Sequence, residues 1–333
     1  MNIVLCFNKN IYLQSIVLMN EICTYNTNVH FYVLNDGSLG EKEKSEISNQ
    51  LKKYNSVFIT YIVGTNEINE LINSFNKSNY PLLTYYKLFI HEFLPENIEK
   101  ALYLDIDQLV LGNLEDLYNI DLENSLLGAC IDDCEFSTKR FNDLNIQKYE
   151  DRFSYFNTGV MLLNIKKMRS EKFTALLSDF MKSDEKKESI KFSLADQDVF
   201  NSLLIGNIKL IPLKYNYQVN FMTDYKKLDV RKKFYPEIVE AIQNPVIVHI
   251  YGYEHPWYSN SKNPYTKIWR YFANMYNIKM KYKSSISKET RKSKVLRDIA
   301  SFFHLCKPFG IEYSNEAIIN ADKKYEEIKG TYK

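Results

Sequence analysis

Short apolar segments alternate with helical stretches over the first third of this chain of 333 residues. Segments rich in apolar and β-branched residues, which are typical of strands, lie at 3–7, 29–34, 57–63 and 101–104. Helical spacing of apolar residues lies between them, at 15–22, 41–54 and 82–93. Because strands that alternate with helices are joined by crossover connections, we predict an α/β fold with a mixed, mostly parallel central sheet. Ligands of such sheets bind beyond the carboxyl ends of the strands.

Two carboxylates, Asp105 and Asp107, interrupt the apolar run 101–111. Residues two apart on a strand share a face, so we expect both side chains to point the same way. Two ionised carboxylates side by side repel each other unless a cation lies between them. We therefore predict a strand end at which Asp105 and Asp107 hold a divalent metal. The alternative is a strand that ends in solvent, with its acids paired with lysine or arginine.

The composition restricts the class of protein. Apolar residues make up 45% of the chain, which is enough for a large core, and no run of about 18 apolar residues predicts a transmembrane helix. Residues 1–7 have the pattern of a first strand and not of a signal peptide. The net charge of +2 is too small to indicate a nucleic-acid partner, and five scattered cysteines suit a reducing compartment. We therefore expect a cytoplasmic protein.

The character of the chain changes after Trp257. Residues 279–297 contain eight lysines and arginines against the single acid Glu289, and aromatic residues follow up to 309. Such a stretch suits the anionic surface of a membrane, here the inner face of the cytoplasmic membrane. A solvated helical extension packed on the core, or a docking segment for a partner protein, is the alternative. We divide the chain into a catalytic domain, 1–270, and a helical, basic extension, 271–333.

A histidine, His249, lies in an apolar segment at 246–250. Such a histidine is often a core residue with a satisfied hydrogen bond. Here Gly252 and the Pro256-Trp257 pair follow, which indicates a loop that wraps a ligand. Two carboxylates and one imidazole leave open positions on a metal such as Mn²⁺, and diphosphate oxygens would fill them.

Six short motifs, taken in order, carry a resemblance to a known family. They lie at 84–88, 103–107, 127–132, 156–160, 195–198 and 249–257. Over about residues 1–270 the chain resembles the retaining glycosyltransferases of family eight, which have the GT-A nucleotide-sugar fold. Within this family, the chain resembles the bacterial galactosyl- and glucosyltransferases that build lipooligosaccharide or other surface glycans.

The resemblance implies a set of site residues. It implies that Asp105, Asp107 and His249 bind Mn²⁺, with Mg²⁺ as the alternative metal. It implies that Asp132, Asn157 and Asp196 bind the donor sugar and that Gln197 lies beneath the anomeric carbon. The remaining residues that we expect to contact the nucleotide donor are Asn8, Asn10, Lys87, Ile106, Gly252 and His255.

Three positions depart from the family pattern. Lys87 replaces the usual arginine, which keeps the charge but not the planar fork. His255 replaces the usual lysine before Pro-Trp, and a histidine donates to a phosphate oxygen with a charge that depends on pH. The segment 8–11 lacks the usual aspartate and the tyrosine that stacks on uracil.

The function implied is transfer of galactose or glucose from a UDP-sugar to a hydroxyl of a glycan or glycolipid acceptor. Because Gln197 is an uncharged amide, we favour a same-face displacement in which the leaving phosphate assists deprotonation of the acceptor. A covalent intermediate on Asp132 or Asp196 is the alternative. Two other functions stay open: a protein that binds UDP-sugars without turnover, and a metal-dependent nucleotidyltransferase. The chain has no glycine-rich phosphate loop.

Overall fold

A computed structural model of the chain describes residues 1–75, 80–135, 138–144, 146, 154–182, 192–204, 206–285 and 310–332. The strands of this part are β1 (Asn2–Cys6), β2 (His30–Asn35), β3 (Val57–Ile62), β4 (Lys100–Leu104), β5 (Gln108–Val110), β6 (Leu127–Ile131), β7 (Phe156–Asn164), β8 (Ile208–Leu210), β9 (Tyr217–Gln218) and β10 (Ile247–His249). Seven of them form one sheet in the order β3-β2-β1-β4-β7-β6-β8. In that sheet β7 runs antiparallel to β4 and β6, while the other neighbouring pairs are parallel. The predicted α/β class and mostly parallel sheet are confirmed.

Helices cover both faces of this sheet. They are α1 (Tyr12–Tyr25), α2 (Glu41–Leu51), α3 (Asn66–Phe75), α4 (Leu82–Tyr85), α5 (Ile90–Phe93), α6 (Glu115–Tyr118), α7 (Thr138–Asp143), α8 (Ile165–Ser170), α9 (Phe173–Lys182), α10 (Ala195–Leu203), α11 (Tyr235–Gln243), α12 (Thr266–Met275) and α13 (Asn315–Thr331). Side chains alternate across a strand, so β1 sends Ile3 and Leu5 into one apolar core and Val4 into the other. The first core includes α1, α11 and α12, and the second includes α4, α9 and α10.

A second, three-stranded sheet brings a late part of the chain to the carboxyl end of β4. Its order is β5-β10-β9, with β5 antiparallel and β9 parallel to β10. In this register His249 lies opposite Gln108, the residue that follows Asp107. The small sheet thus places an imidazole from β10 beside the two carboxylates.

The structure corrects two local expectations. Asp105 and Asp107 do not lie on a strand, because β4 ends at Leu104 and β5 begins at Gln108 in the other sheet. Between them the chain turns, with Asp105 N donating to Gly159 O at 2.8 Å. The segment 82–93 is not one helix either, because a 3-10 helix at Tyr86–Phe89 separates α4 from α5. In this tighter turn Lys87 and its neighbours are buried.

The basic segment 286–309 lies outside the described residues, and the membrane and partner-docking interpretations of 279–309 stay predictions. Beyond it, α13 packs against α11 and α12. Within the described ranges, no helix is both long and apolar enough to cross a membrane. The division of the chain near residue 270 also stays a prediction.

Candidate active site

A cavity of about 710 Å³ opens at the carboxyl ends of the central strands. Eleven of the residues predicted for the site line it: Lys87, Asp105, Ile106, Asp107, Asp132, Asn157, Asp196, Gln197, His249, Gly252 and His255. Asn8 and Asn10 do not belong to this lining. Asn8 instead caps the 3-10 helix Lys9–Ile11, accepting from Asn10 N at 3.0 Å and donating to Asp36. The cavity therefore unites most of the predicted set, and the roles of these residues stay predictions.

Asp105, Asp107 and His249 form a first acidic cluster, in which one ligand atom from each residue lies within 4.8 Å of the others. Asp107 Oδ1 is buried, lies 3.1 Å from His249 Nε2, and lacks a hydrogen bond of normal geometry. Asp107 Oδ2 accepts from His255 Nε2 at 3.1 Å. A buried carboxylate oxygen facing an imidazole nitrogen is a suitable pair of ligands for a divalent metal.

The pKa values of Asp107 and His249 follow from burial and from the charges of their neighbours. Burial by itself would raise the pKa of Asp107, but His249 and His255 lower it below its ordinary value. Burial would lower the pKa of His249, whereas Asp107 raises it above its ordinary value. The carboxylate thus stays ionised next to positive charge. A metal ion that bound here would take the place of the proton on His249 Nε2.

Close packing and a second layer of hydrogen bonds orient His249. Its Nδ1 lies 3.1 Å from Asn216 Oδ1, and we assign the Nδ1 proton to this contact, which directs the Nε2 lone pair to the cluster. Gly159 permits the approach, because a Cβ at that position would lie 2.3 Å from His249 Cε1. Asn216 also donates to Asn157 Oδ1 at 2.9 Å. The buried Asn216 amide therefore links His249, a candidate metal ligand, to Asn157, a candidate for binding the donor sugar.

Lys87 joins two acids of the cavity. Its Nζ lies 3.0 Å from Asp105 Oδ1 and 2.9 Å from Asp196 Oδ2, and Tyr103 also donates to Asp105 Oδ1 at 2.5 Å. Burial would lower the pKa of Lys87, but the two carboxylates raise it above its ordinary value, so the ammonium is charged. The alternative to a metal site was that the acids pair with lysine or arginine. This pairing is present for one oxygen of Asp105, which contacts Lys87.

Asp132 and Gln197 form the other wall of the cavity. Asp132 Oδ2 accepts from Gln197 Nε2 and from Asn157 Nδ2, each at 3.0 Å. Gln197 Oε1 accepts from Thr158 N at 3.2 Å. The partners on both sides of the Gln197 amide fix its orientation, and the sugar-binding candidates thus share one hydrogen-bond network.

The start of α10 directs two of these side chains inward. Ala195 has a φ of +49°, which is strained for a residue with a Cβ and costs about 1 kcal/mol. The next residues, Asp196 and Gln197, face the cavity, whereas Asp198 turns back and accepts from Leu194 N at 2.7 Å. Of the two acids in the first turn, only Asp198 has the ordinary role of a helix N-terminal acid.

The sequence interpretation missed a second acidic cluster of Asp132, Asp133 and Cys134, whose ligand atoms also lie within 4.8 Å of one another. Cys134 donates to Asp132 Oδ1 through N at 3.1 Å and Sγ at 2.7 Å, and Tyr251 donates to Asp133 Oδ2. Burial and the Asp132 carboxylate raise the pKa of Asp133 to about 7. Protein donors bind both oxygens of Asp132 and Oδ2 of Asp133, whereas Asp107 Oδ1 lacks a donor, so the first acidic cluster fits a metal better. The Asp132-Asp133 doublet after a strand was the available signal.

Comparisons with known proteins identify the family and the fold. The sequence profile of Glycosyl transferase family 8 matches residues 2–261. A lipopolysaccharide 1,2-glucosyltransferase of Escherichia coli is 28% identical over 265 residues, covering 76% of this chain and 72% of that protein. General stress protein A of Bacillus subtilis is 27% identical over 241 residues, covering 71% and 79%.

Among solved structures, the galactosyltransferase LgtC in complex with donor and acceptor sugar analogues is similar in fold. It superimposes with a TM-score of 0.71 at 22% identity, covering 88% of this chain and 99% of that one. The match confirms the predicted fold, and the family profile spans most of the chain, including both acidic clusters. The chain therefore belongs to glycosyltransferase family 8 and is a retaining glycosyltransferase with the GT-A fold.

Proposed function

We propose that this enzyme transfers galactose or glucose from a UDP-sugar to a hydroxyl of a surface glycan of the lipopolysaccharide or lipooligosaccharide type. The observation that carries the proposal is the meeting, in one cavity, of the first acidic cluster with the Asp132–Gln197 pair. The glucosyltransferase relative supports the acceptor class and glucose as the sugar. The galactosyltransferase of similar fold supports galactose as the other choice.

The metal in this proposal is Mn²⁺, with Mg²⁺ as the alternative, held by Asp105, Asp107 and His249. The buried Asp107 Oδ1 without a hydrogen bond supports this assignment. When bound, the ion supplies positive charge that neutralises the diphosphate as it leaves. Two residues assist. Lys87 keeps Asp105 in place. The His255 ring stacks on Trp257 with ring centroids 4.5 Å apart, and its Nδ1, which has no partner in the described chain, would bind a phosphate oxygen.

For the transfer step we favour same-face displacement. The acceptor oxygen bonds to the anomeric carbon, the bond from that carbon to the diphosphate breaks, and the acceptor proton moves to the leaving phosphate. Gln197, held by Asp132, stabilises the positive anomeric centre with its amide dipole. A covalent route on Asp132 is less favourable because both of its oxygens accept hydrogen bonds from protein donors. Asp196 is likewise paired with Lys87 and Thr158.

A glycolipid acceptor would bring the enzyme to the inner face of the cytoplasmic membrane. We infer this from the basic and aromatic composition of 279–309. Co-sedimentation with anionic vesicles, compared between the whole chain and a form lacking 279–309, tests it. Equal co-sedimentation of the two forms would contradict the membrane role and leave partner docking or a solvated extension.

The central experiment is release of UDP from a panel of UDP-sugars in the presence of Mn²⁺. We expect hydrolysis of UDP-galactose or UDP-glucose that EDTA abolishes and that Asp107→Ala lowers by about a thousandfold. Asp116→Asn removes an exposed acid that does not line the cavity and serves as the matched control, with unchanged release.

Other outcomes distinguish the alternatives. Metal-dependent binding of UDP without release from any donor, even with glycan acceptors added, would indicate a binding protein without turnover. Formation of pyrophosphate from a sugar phosphate and UTP would indicate a nucleotidyltransferase. Release that persists in EDTA and in Asp107→Ala would contradict the metal site.

A further inference from the structure

Asp133 is a buried acid of the cavity wall that the transfer step does not use. Its side chain is 9% exposed and accepts from the Tyr251 hydroxyl and from the Asn220 side chain. Its backbone N donates to Gln218 Oε1 at 3.1 Å. Within the part of the chain that the structure describes, no lysine or arginine pairs with it. A carboxylate with only neutral partners, facing an open cavity, retains capacity to accept hydrogen bonds from a ligand.

Asp133 lies beside Asp132, which holds the Gln197 amide that we propose to lie beneath the anomeric carbon. One carboxylate oxygen lies within 4.8 Å of a carboxylate oxygen of Asp132, whose Oδ2 holds the Gln197 amide at 3.0 Å. On the other side, the ring of Tyr251 packs edge-to-face on His249 with centroids 5.0 Å apart. The Asp133–Tyr251 pair therefore lies between the candidate metal ligand and the group beneath the anomeric carbon. In a same-face displacement the acceptor approaches between the leaving diphosphate and the donor sugar.

The charge of this wall restricts what it binds. Asp132 and Asp133 are adjacent acids, and their hydrogen-bond donors are neutral amides, hydroxyls and a thiol. A sugar hydroxyl is well suited to such a surface because it donates either to the Asp133 carboxylate or to the Tyr251 oxygen, whose own proton is directed at Asp133. A carboxylate or phosphate on the acceptor would meet these two like charges, and among the described residues no lysine or arginine pairs with either of them.

We propose that Asp133 and Tyr251 bind the acceptor and select a sugar residue that is uncharged at its reacting end, in preference to a uronic acid or a phosphorylated sugar. This inference rests on the proposed function, because it assigns the acceptor side of the same cavity. Asp133 acts here as a specificity residue: it accepts a hydrogen bond from a hydroxyl of the acceptor, and its charge repels anionic sugars.

The test measures binding of four small sugars to the protein loaded with Mn²⁺ and the 2-fluoro analogue of UDP-galactose or UDP-glucose, which occupies the donor position. The sugars are methyl β-galactoside, methyl β-glucoside and the two corresponding uronic acids. Above pH 7, where Asp133 is ionised, we expect a neutral sugar to bind at least about tenfold more tightly than its uronic acid. Asp133→Asn should reduce this ratio to about threefold or less, because the amide no longer repels the anion.

The controls separate this inference from the proposed function. Tyr251→Phe should weaken binding of the neutral sugar by about fivefold, through loss of one hydrogen bond, and Asp116→Asn should leave every affinity unchanged. Absence of metal-dependent binding of the UDP-sugar analogue to the wild type would contradict the proposed function. With that binding intact, three results would overturn the inference: an unchanged ratio in Asp133→Asn, equal binding of neutral and acidic sugars, or binding of neither neutral sugar.

Discussion

The two acidic clusters contain the same kind of side chain but have opposite surroundings. In the first acidic cluster, Asp105 lies 3.0 Å from Lys87, and Asp107 lies 3.1 Å from each of two histidines. In the second, Asp132 and Asp133 accept from neutral groups such as Gln197 and Tyr251. The partners, and not the acids themselves, therefore distinguish a site suited to a metal and a diphosphate from one suited to sugar hydroxyls.

The pKa values report the same difference. The pKa of Asp107 falls below its ordinary value because its imidazole neighbours outweigh burial. The pKa of Asp133 rises to about 7 because burial and the adjacent carboxylate act together. In the first cluster, positive partners stabilise the ionised form of Asp107. In the second, ionisation of Asp133 lowers the stability of the native state, as is common for acids at binding sites.

The largest effect should come from removing the cation of the first acidic cluster. Lys87→Met leaves Asp105 and the buried Asp196 without their shared ammonium. In EDTA we expect the free energy of unfolding, measured with urea, to fall by about 3 to 4 kcal/mol. Lys87→Arg keeps the charge in a different shape and should cost about 1 kcal/mol.

Lys100→Met is the matched control for Lys87→Met. The Lys100 ammonium donates to backbone carbonyls of Tyr118 and Ile120 and faces no acid within salt-bridge distance in the described part of the chain. We expect it to cost about 1 kcal/mol. Equal losses in the two methionine variants would mean that the charge of Lys87 does not hold the acids together.

The next effect should separate the clusters by function. Asp132→Asn replaces one accepting oxygen by an NH₂ group, so either Cys134 loses its acceptor or Asn157 and Gln197 both lose theirs. We expect donor hydrolysis to fall by about a hundredfold while the affinity for Mn²⁺ in the presence of UDP changes by less than about threefold. A parallel loss of metal affinity would show that the two clusters act as one site.

A smaller effect concerns stability and pH. Because the pKa of Asp133 is raised from 3.8 to about 7, the native state keeps the proton of this carboxyl group up to a higher pH than the unfolded chain does. Its contribution to stability is therefore full below pH 3.8 and is lost as the pH rises to 7. Asp133→Asn should raise the free energy of unfolding by roughly 2 kcal/mol above pH 7, since water in the open cavity screens part of the shift.

The pH profile of that variant is the decisive measurement. Urea denaturation of the wild type and Asp133→Asn should give a difference that grows between pH 4 and 7 and then levels off, as the pKa of about 7 requires. A constant difference across this range would mean that Asp133 is not the group that titrates.

Much of the fold and of the candidate site could be predicted because the signals are local. Apolar patterning predicted the strands β1 to β4, and the ordered motifs predicted Asp105, Asp107, Gln197 and His249, which line one cavity. The placement of Asp105 and Asp107 on a strand was wrong because periodicity does not reveal that the chain changes sheets at a turn. Asn8 and Asn10 were expected at the nucleotide, yet Asn8 caps a turn outside the cavity lining, a local role that the same sequence equally permits.

What the sequence by itself determined is the kind of chemistry: acids, an imidazole and amides in the order of a family 8 glycosyltransferase. Only the tertiary structure decided the partner of each acid. His255 meets Asp107 across 148 positions of the chain, and Tyr251 meets Asp133 across 118. The reason is physical, because burial and neighbouring charge determine whether a carboxylate is ionised, and both depend on which loops meet at the end of the sheet.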